Sequence, residues 1–294
     1  MPELPDITVY VERLQALAGG STLQRVQLLN PFLLRTALPP LAEAEGRCLV
    51  GVERLGKRVV LVLDGEFFLV IHLMVAGRLH WRLPGARPMG RGVLAQWVFE
   101  AGTLALTEAG SKRMASLHCV QGRAALAALD PGGIEVEAGG LAPFSERLRA
   151  VNQTLKRALT DPHRFSGIGN AYSDEILHRA RLSPMARTQA LDNTQVKALF
   201  DATLAVMGEW TARLRAEAEA AGWPVKVTAF RPEMAVHGRF GQPCPDCGAP
   251  VQRIVHGDHE VNYCARCQTD GRLLADRVLS RLLKADWPKS IDLF

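Results

Sequence analysis

Apolar residues recur near the start of the chain at spacings of three and four, as Ile7, Val11, Leu14 and Leu17-Ala18, and stop at Gly19-Gly20. That period predicts a helix beginning almost at the amino terminus, with one stripe to bury. From Leu23 to about Gln121 the texture changes to short apolar runs, such as Val59-Val60-Leu61-Val62-Leu63 and Phe67-Phe68-Leu69-Val70-Ile71, separated by Asp64-Gly65 and Ala101-Gly102. Such runs predict an antiparallel sandwich or barrel, and Asp64-Gly65 marks a hairpin. Asp130-Pro131-Gly132-Gly133 and Gly139-Gly140 read as a hinge. Beyond it the period is helical from Ser145 to the region of Gly222. The longest helix carries Val196, Leu199, Phe200, Leu204, Met207 and Trp210 on one stripe, with Asn193 or Thr194 as its cap. Leu273, Leu274, Val278, Leu282 and Trp287 predict a further amphipathic helix near the end.

With 294 residues, 48% of them hydrophobic, the chain can bury more than one core. No apolar run is long enough to span a bilayer and no signal pattern opens the chain, so a cytoplasmic location is expected. The net charge of +5 fits an anionic partner without requiring one. Its distribution is more telling: between Glu66 and Glu100 there is no acidic residue, while Arg78, Arg82, Arg87, Arg91, His72 and His80 lie there, and Lys112 and Arg113 follow. This one-signed patch suits either plain solvation or a polyanion.

Three motifs carry candidate chemistry. Removal of Met1, usual before a small residue, would leave Pro2 with a free secondary amine. An α-amine titrates near pH ~8, so part of it is unprotonated and nucleophilic at neutral pH, and Glu3 beside it could move protons. The bland alternative is a proline-stiffened terminus without a role. Gly167-Ile168-Gly169-Asn170 opens a helix and could grip phosphate, with Asn170 as cap and donor, or could simply be a turn between packed helices. The most specific pattern is Cys244-x2-Cys247, sixteen residues, then Cys264-x2-Cys267. Four thiolates in two knuckles are what a tetrahedral zinc requires, and with no open ligand position the metal should be structural. His256 and His259 then fall near the hairpin tip and not in the coordination shell. Cys48 and Cys119, standing alone, read as small buried apolar residues.

Together these features resemble the formamidopyrimidine-DNA glycosylase and endonuclease VIII family, over most of the chain to about Gln268. Met1 to Asp6 resembles the family's opening, with Asp6 where glutamate is usual; Gly167 to Leu177 resembles its helix-two-turn-helix signature; and Val236 to Cys244 resembles the run into its finger. The resemblance implies an α+β multidomain fold: an amino-terminal helix with an antiparallel β-sandwich (1–132), a helix-two-turn-helix domain (133–225), a four-cysteine zinc finger (226–268) and an extra helical tail (269–294). It implies a monomeric base-excision-repair glycosylase with abasic-site lyase activity on damaged double-stranded DNA, and one structural zinc. Pro2 would attack C1′, Glu3 would act as acid and base, and Lys57 would serve as the family's strand lysine in proton transfer and phosphate contact. Lys156 and Asn170 would hold phosphates; Met74 or Val75, with Lys112-Arg113-Met114, would fill the gap left by the extruded base. Where the family's finger has an arginine used in lesion binding and the second elimination, five residues before the third cysteine, this chain has His259. That departure also admits an alternative, a damaged-DNA-binding member with weak or altered cleavage.

Overall fold

The computed structural model describes the chain except residues 87–89, 91, 110, 111, 226, 228, 229, 257, 258 and 294, and gives the backbone alone at residues 256, 259, 277–279, 285 and 293. Two compact units result, Met1–Pro131 with Trp210–Val227, and Gly132–Glu209 with Thr228–Phe294.

The first unit opens on α1 (Leu4–Ala18), and its strands are β1 (Leu23–Leu28), β2 (Leu49–Leu55), β3 (Arg58–Leu63), β4 (Phe67–His72), β5 (Gly77–Arg82), β6 (Val93–Phe99), β7 (Gly102–Glu108) and β8 (Ser116–Gln121). They form two antiparallel sheets, ordered β1-β6-β7-β5 and β2-β3-β4-β8. One core takes Leu61 and Leu69 from one sheet, Trp97 and Leu106 from the other, and Ile7, Tyr10 and Leu14 from α1. The sandwich expected from the sequence is therefore present. On the far face of β3 and β4, Val60, Val62, Phe68 and Val70 are covered by Leu126 of α2 (Arg123–Ala127). Burial on both faces explains why these two strands read as unbroken apolar runs.

The second unit holds α3 (Val136–Gly139), α4 (Leu141–Arg149), α5 (Leu155–Thr160), α6 (Asn170–Arg179) and the first part of α7 (Asn193–Ala221). Phe144 packs 4.8 Å from Phe165 and 5.4 Å from Phe200, ring centre to ring centre. The cap of α7 is Asp192, not Asn193 or Thr194: its carboxylate accepts Gln195 N–H at 2.8 Å, and Gln195 Oε1 accepts Asp192 N–H at 3.1 Å. This reciprocal pair satisfies two donors where a lone Asn or Thr cap would satisfy one. The later part of α7 belongs to the first unit, where Arg215 pairs with Glu12 at 2.7 Å and Trp223 Nε1 donates to Leu79 O at 3.0 Å.

The finger is the hairpin β9 (Gln252–His256) and β10 (His259–Tyr263), followed by α8 (Ala265–Thr269). The tail contains a helix, α9 (Arg277–Leu283), shorter than the span from Leu273 to Trp287 over which the apolar residues were spaced. Lys284 has φ of 49°, the left-handed region that ends a helix. Two single 3-10 turns, Lys284–Asp286 and Ile291–Leu293, follow α9, and the connecting stretches are tied down by Leu273 N–H to Lys289 O at 3.0 Å and Ile291 N–H to Gly271 O at 2.8 Å. Among the described residues no helix is long and apolar enough to cross a membrane. Cys119 is buried as expected, while Cys48 is only half-buried.

Candidate functional site

The amino terminus is built into the first unit. Pro2 and Glu3 are both buried, Glu3 to 2% exposure. Pro5 sits in the first turn of α1, where the N–H it lacks would have no intrahelical partner. Asp6 Oδ2 accepts Glu3 N–H at 3.0 Å and Glu3 O accepts Ile7 N–H at 3.0 Å, so Glu3 is fixed as the residue preceding the helix. Asp6, where the family usually has glutamate, thus does a positioning job for which its shorter side chain suffices. Burial lowers the pKa of the Met1 amine, one residue before Pro2; Arg78 and Lys57 push the same way and Glu3 and Asp6 oppose them.

Lys57 lies in the two-residue turn Gly56-Lys57 of the β2–β3 hairpin, not within a strand. Gly56 has φ of 61°, and Arg54 Nη1 donates to its carbonyl at 2.9 Å, which fixes the turn. Next to it is a residue that the sequence reading placed only in the basic patch. His72, opposite Arg58 at the end of β4, has a pKa pushed down to about 4, chiefly by burial and then by Arg58, Lys57 and His118. It is neutral at physiological pH. A polar residue closing the apolar run Phe67–His72 was the signal available for it in the sequence.

The β4–β5 turn carries Met74 and Val75. Gly77 is required there, since a Cβ would meet Leu73 O at 2.3 Å. Met74 has φ of 51° and is half-buried, whereas Val75 is 64% exposed. Gly77 pairs with Glu108 across β5 and β7. Glu108 is buried, and its carboxylate accepts Met114 N–H at 2.9 Å and Ala115 N–H at 3.1 Å. That pairing brings the Met74–Val75 turn and the exposed Lys112-Arg113-Met114 segment to one edge of the unit. Arg87 and Arg91 lie outside the described residues.

In the second unit, Lys156 and Asn170 are adjacent but not open. Lys156 is 8% exposed; its Nζ is 2.5 Å from Asp174 Oδ1 and donates to Asn170 O at 2.6 Å. Gly169, not Asn170, is the N-cap of α6, and Asn170 Nδ2 donates to Glu260 O at 2.9 Å. The sequence reading missed the two carboxylates that organise this place. Asp174 Oδ2 meets His237 Nδ1 at 2.8 Å and accepts Asn262 N–H at 3.1 Å. Glu175 accepts the N–H groups of Ala235, Val236 and His237 at 2.7–2.9 Å. Both are nearly fully buried, and such charges survive only when paired and bonded this completely. The network locks α6 to the run before the finger and to β10. His259 opens β10 opposite His256, and its side chain lies outside the described part of the structure.

The four cysteine sulfurs lie within 4.8 Å of one another, with Cys247 to Cys264 at 3.4 Å and Cys244 to Cys267 at 3.9 Å. Zn–S bonds of about 2.3 Å in a tetrahedron set sulfurs about 3.8 Å apart, so the cluster fits zinc. Cys264 Sγ accepts Cys267 N–H at 3.5 Å, and His178 Nε2 stands 3.3 Å from Cys244 Sγ, where its N–H can steady the thiolate. The chain's metal is one structural zinc.

Residues 1–116 match the family model of the formamidopyrimidine-DNA glycosylase N-terminal domain, 130–216 that of the formamidopyrimidine-DNA glycosylase H2TH domain, and 241–269 the zinc finger found in FPG and IleRS. A formamidopyrimidine-DNA glycosylase of Thermus thermophilus is 33% identical over 282 residues, covering 92% of this chain and 100% of the relative. An uncharacterized formamidopyrimidine-DNA glycosylase-like protein of Mycobacterium tuberculosis is 39% identical over 157 residues, 53% of this chain and 95% of that one. The crystal structure of MutM (Fpg) from Thermus thermophilus superposes with a TM-score of 0.73 at 31% identity, over 91% of this chain and 98% of that one. Lactococcus lactis Fpg, solved in complex with an abasic site containing DNA, shares the fold with a TM-score of 0.80 at 24% identity, over 91% and 99%.

Proposed function

The chain belongs to the formamidopyrimidine-DNA glycosylase family, and from that membership we propose a Schiff-base mechanism on damaged double-stranded DNA, with Pro2 as nucleophile once Met1 is removed. The observation that carries it is the buried Pro2-Glu3 pair, with Glu3 fixed by Asp6 at the start of the first helix and Lys57 near enough to lower the pKa of the adjoining Met1 amine. The amine nitrogen attacks C1′, the C1′–N bond to the base breaks, and the base leaves with a proton. Glu3 then protonates O4′ as the sugar opens, giving an iminium between Pro2 and C1′. Loss of a C2′ proton expels the 3′ phosphate, and water releases the unsaturated aldehyde and the free amine. Lys57 assists proton transfer and contacts phosphate; Lys112, Arg113 and Met74 meet the duplex at the turn edge. One Asn170 amide hydrogen is used by Glu260 O, which leaves the other for a phosphate, and Lys156, with two donors held by Asp174 and Asn170 O, adds its charge from behind Asn170. The protein acts as a monomer.

His259 supports a second reading. Arginine stays charged with five donors, whereas histidine has two ring nitrogens and loses its charge near pH ~6.5. Slow second elimination, or binding of damaged DNA with little cleavage, would follow.

Borohydride trapping on abasic duplex tests the proposal. Wild-type protein should become covalently attached, and one residue added before Pro2 should abolish attachment while duplex binding stays within a few-fold. Attachment that persists and maps to Lys57 overturns Pro2. Resolving the 3′ ends of the nick in the same reactions should give mostly the unsaturated aldehyde. Clean 3′-phosphate, flat from pH 5.5 to 8, would remove the special role of His259, and absence of any nick would favour the binding protein.

A further inference from the structure

The four zinc thiolates differ in what can donate to them. Cys247 and Cys267 are half-buried, so water reaches their side chains, whereas Cys244 and Cys264 are buried to 2% and 0% exposure. A zinc held by four thiolates carries surplus negative charge, and a buried sulfur that bears part of it needs a donor from the protein. Cys264 Sγ has one in the Cys267 N–H at 3.5 Å. No backbone N–H among the described residues donates to Cys244 Sγ, and the group that faces it is His178 Nε2 at 3.3 Å. His178 is itself only 4% exposed. Its Nε2 stands between two anions, this thiolate and Asp246 Oδ2 at 3.9 Å, and two acceptors facing one nitrogen fix the tautomer that carries hydrogen there. The helix α6 brings the ring to the metal: His178 follows Asp174 by one turn, on the face that already holds β10 through Asp174 and Asn262 N–H.

We propose that His178 is a positioning residue of the zinc site, whose Nε2–H holds Cys244 Sγ, draws charge from that thiolate and so retains the metal in the first knuckle. A hydrogen bond to a ligating sulfur lowers the energy of its lone pairs. The sulfur then takes up a proton less readily and attacks outside electrophiles more slowly, and these are two ways in which a thiolate is lost from zinc. The bond also offsets charge that burial would otherwise make costly at Cys244. One helix thus carries both the Asn170 amide at its start and the support of the metal near its end. The inference rests on the zinc site and is independent of the Pro2 chemistry.

The test uses the full chain with cobalt(II) in place of zinc, because the thiolate-to-cobalt charge-transfer bands report the energy of the sulfur lone pairs. His178→Phe keeps a ring and removes the N–H, whereas His178→Gln puts an amide N–H back near the place of Nε2. The bands should move to lower energy in the phenylalanine variant and return toward wild type in the glutamine variant. Zinc affinity, read by competition with a chromophoric chelator, should fall about tenfold in the first and recover in the second, the lower end of what such supporting partners contribute. Bands that stay put in His178→Phe, bands that move equally in both variants, or a zinc affinity equal to wild type in His178→Phe overturn the proposal. Wild-type protein supplies a measurement that needs no variant to fold: long-range proton–nitrogen NMR of the zinc-loaded chain should find the His178 hydrogen on Nε2, and a hydrogen on Nδ1 alone overturns the proposal as well.

Discussion

His72 is held neutral by burial beside Arg58 and Lys57, and its titration therefore leaves a mark on stability. Its pKa in the folded chain is about 4, against about 6.5 when unfolded. As pH falls the unfolded chain takes up the proton first, so stability is lost between pH ~6.5 and ~4, by up to about 3 kcal/mol for this residue. Glutamine has the hydrogen-bonding capacity without the titration. His72→Gln should lose less stability than wild type between pH 7 and 4.5, read from urea midpoints at both values; equal losses would mean that His72 protonates freely. The residue scale is also where the sequence was most uneven as a guide. Pro2, Glu3 and the four cysteines stood out because their chemistry needs those residue types at fixed short spacing. Asp174 and Glu175 did not, since a carboxylate in a helix ordinarily faces water, and only the later run Ala235–His237 and the strand residue Asn262 reveal why these two are buried. Lys156 was legible as a cation but not as a buried counter-ion, for the same reason.

Among the elements, the finger depends most on something outside the chain. Its core includes Val251, Ile254, Tyr263 and two of the zinc cysteines, too little to fold a two-stranded hairpin unaided. Metal binding then supplies folding energy, of order ~10 kcal/mol for such sites. Cys264→Ser should release zinc, disorder β9 and β10, and lower DNA affinity through Asn170, whose side chain is tied to Glu260 O. Metal analysis with duplex binding measures this; less than about one zinc per chain in carefully purified wild type would sink it. Period and spacing made α1, the sandwich strands and this finger readable in the sequence. The cap of α7 was missed by one residue because Asp192-x-x-Gln195 works as a reciprocal pair, and the tail helix was overdrawn because apolar spacing does not report the left-handed Lys284 that stops it.

For the whole molecule, a net charge of +5 is too small to predict a DNA affinity, so the placement of free cations has to decide it. Several arginines are already matched: Arg123 with Glu53, Arg179 with Glu209 and Arg215 with Glu12, all within 2.8 Å. Such pairs release few counterions when DNA binds, because the guanidinium already has an anion. Lys112 and Arg113 differ; they are exposed, with no ion pair among the described residues, and the nearby Glu108 is turned inward onto Met114 and Ala115 N–H. Each phosphate contact contributes about 0.9 to the slope of log affinity against log salt. Replacing both by alanine should therefore flatten that slope by about 1.8, while Arg215→Ala should leave it unchanged. Fluorescence anisotropy on an abasic duplex across a salt series reads both variants. An unaltered slope in the Lys112→Ala, Arg113→Ala protein would take this segment off the DNA, and with it the filling role assigned to the Met74–Val75 turn that shares its edge.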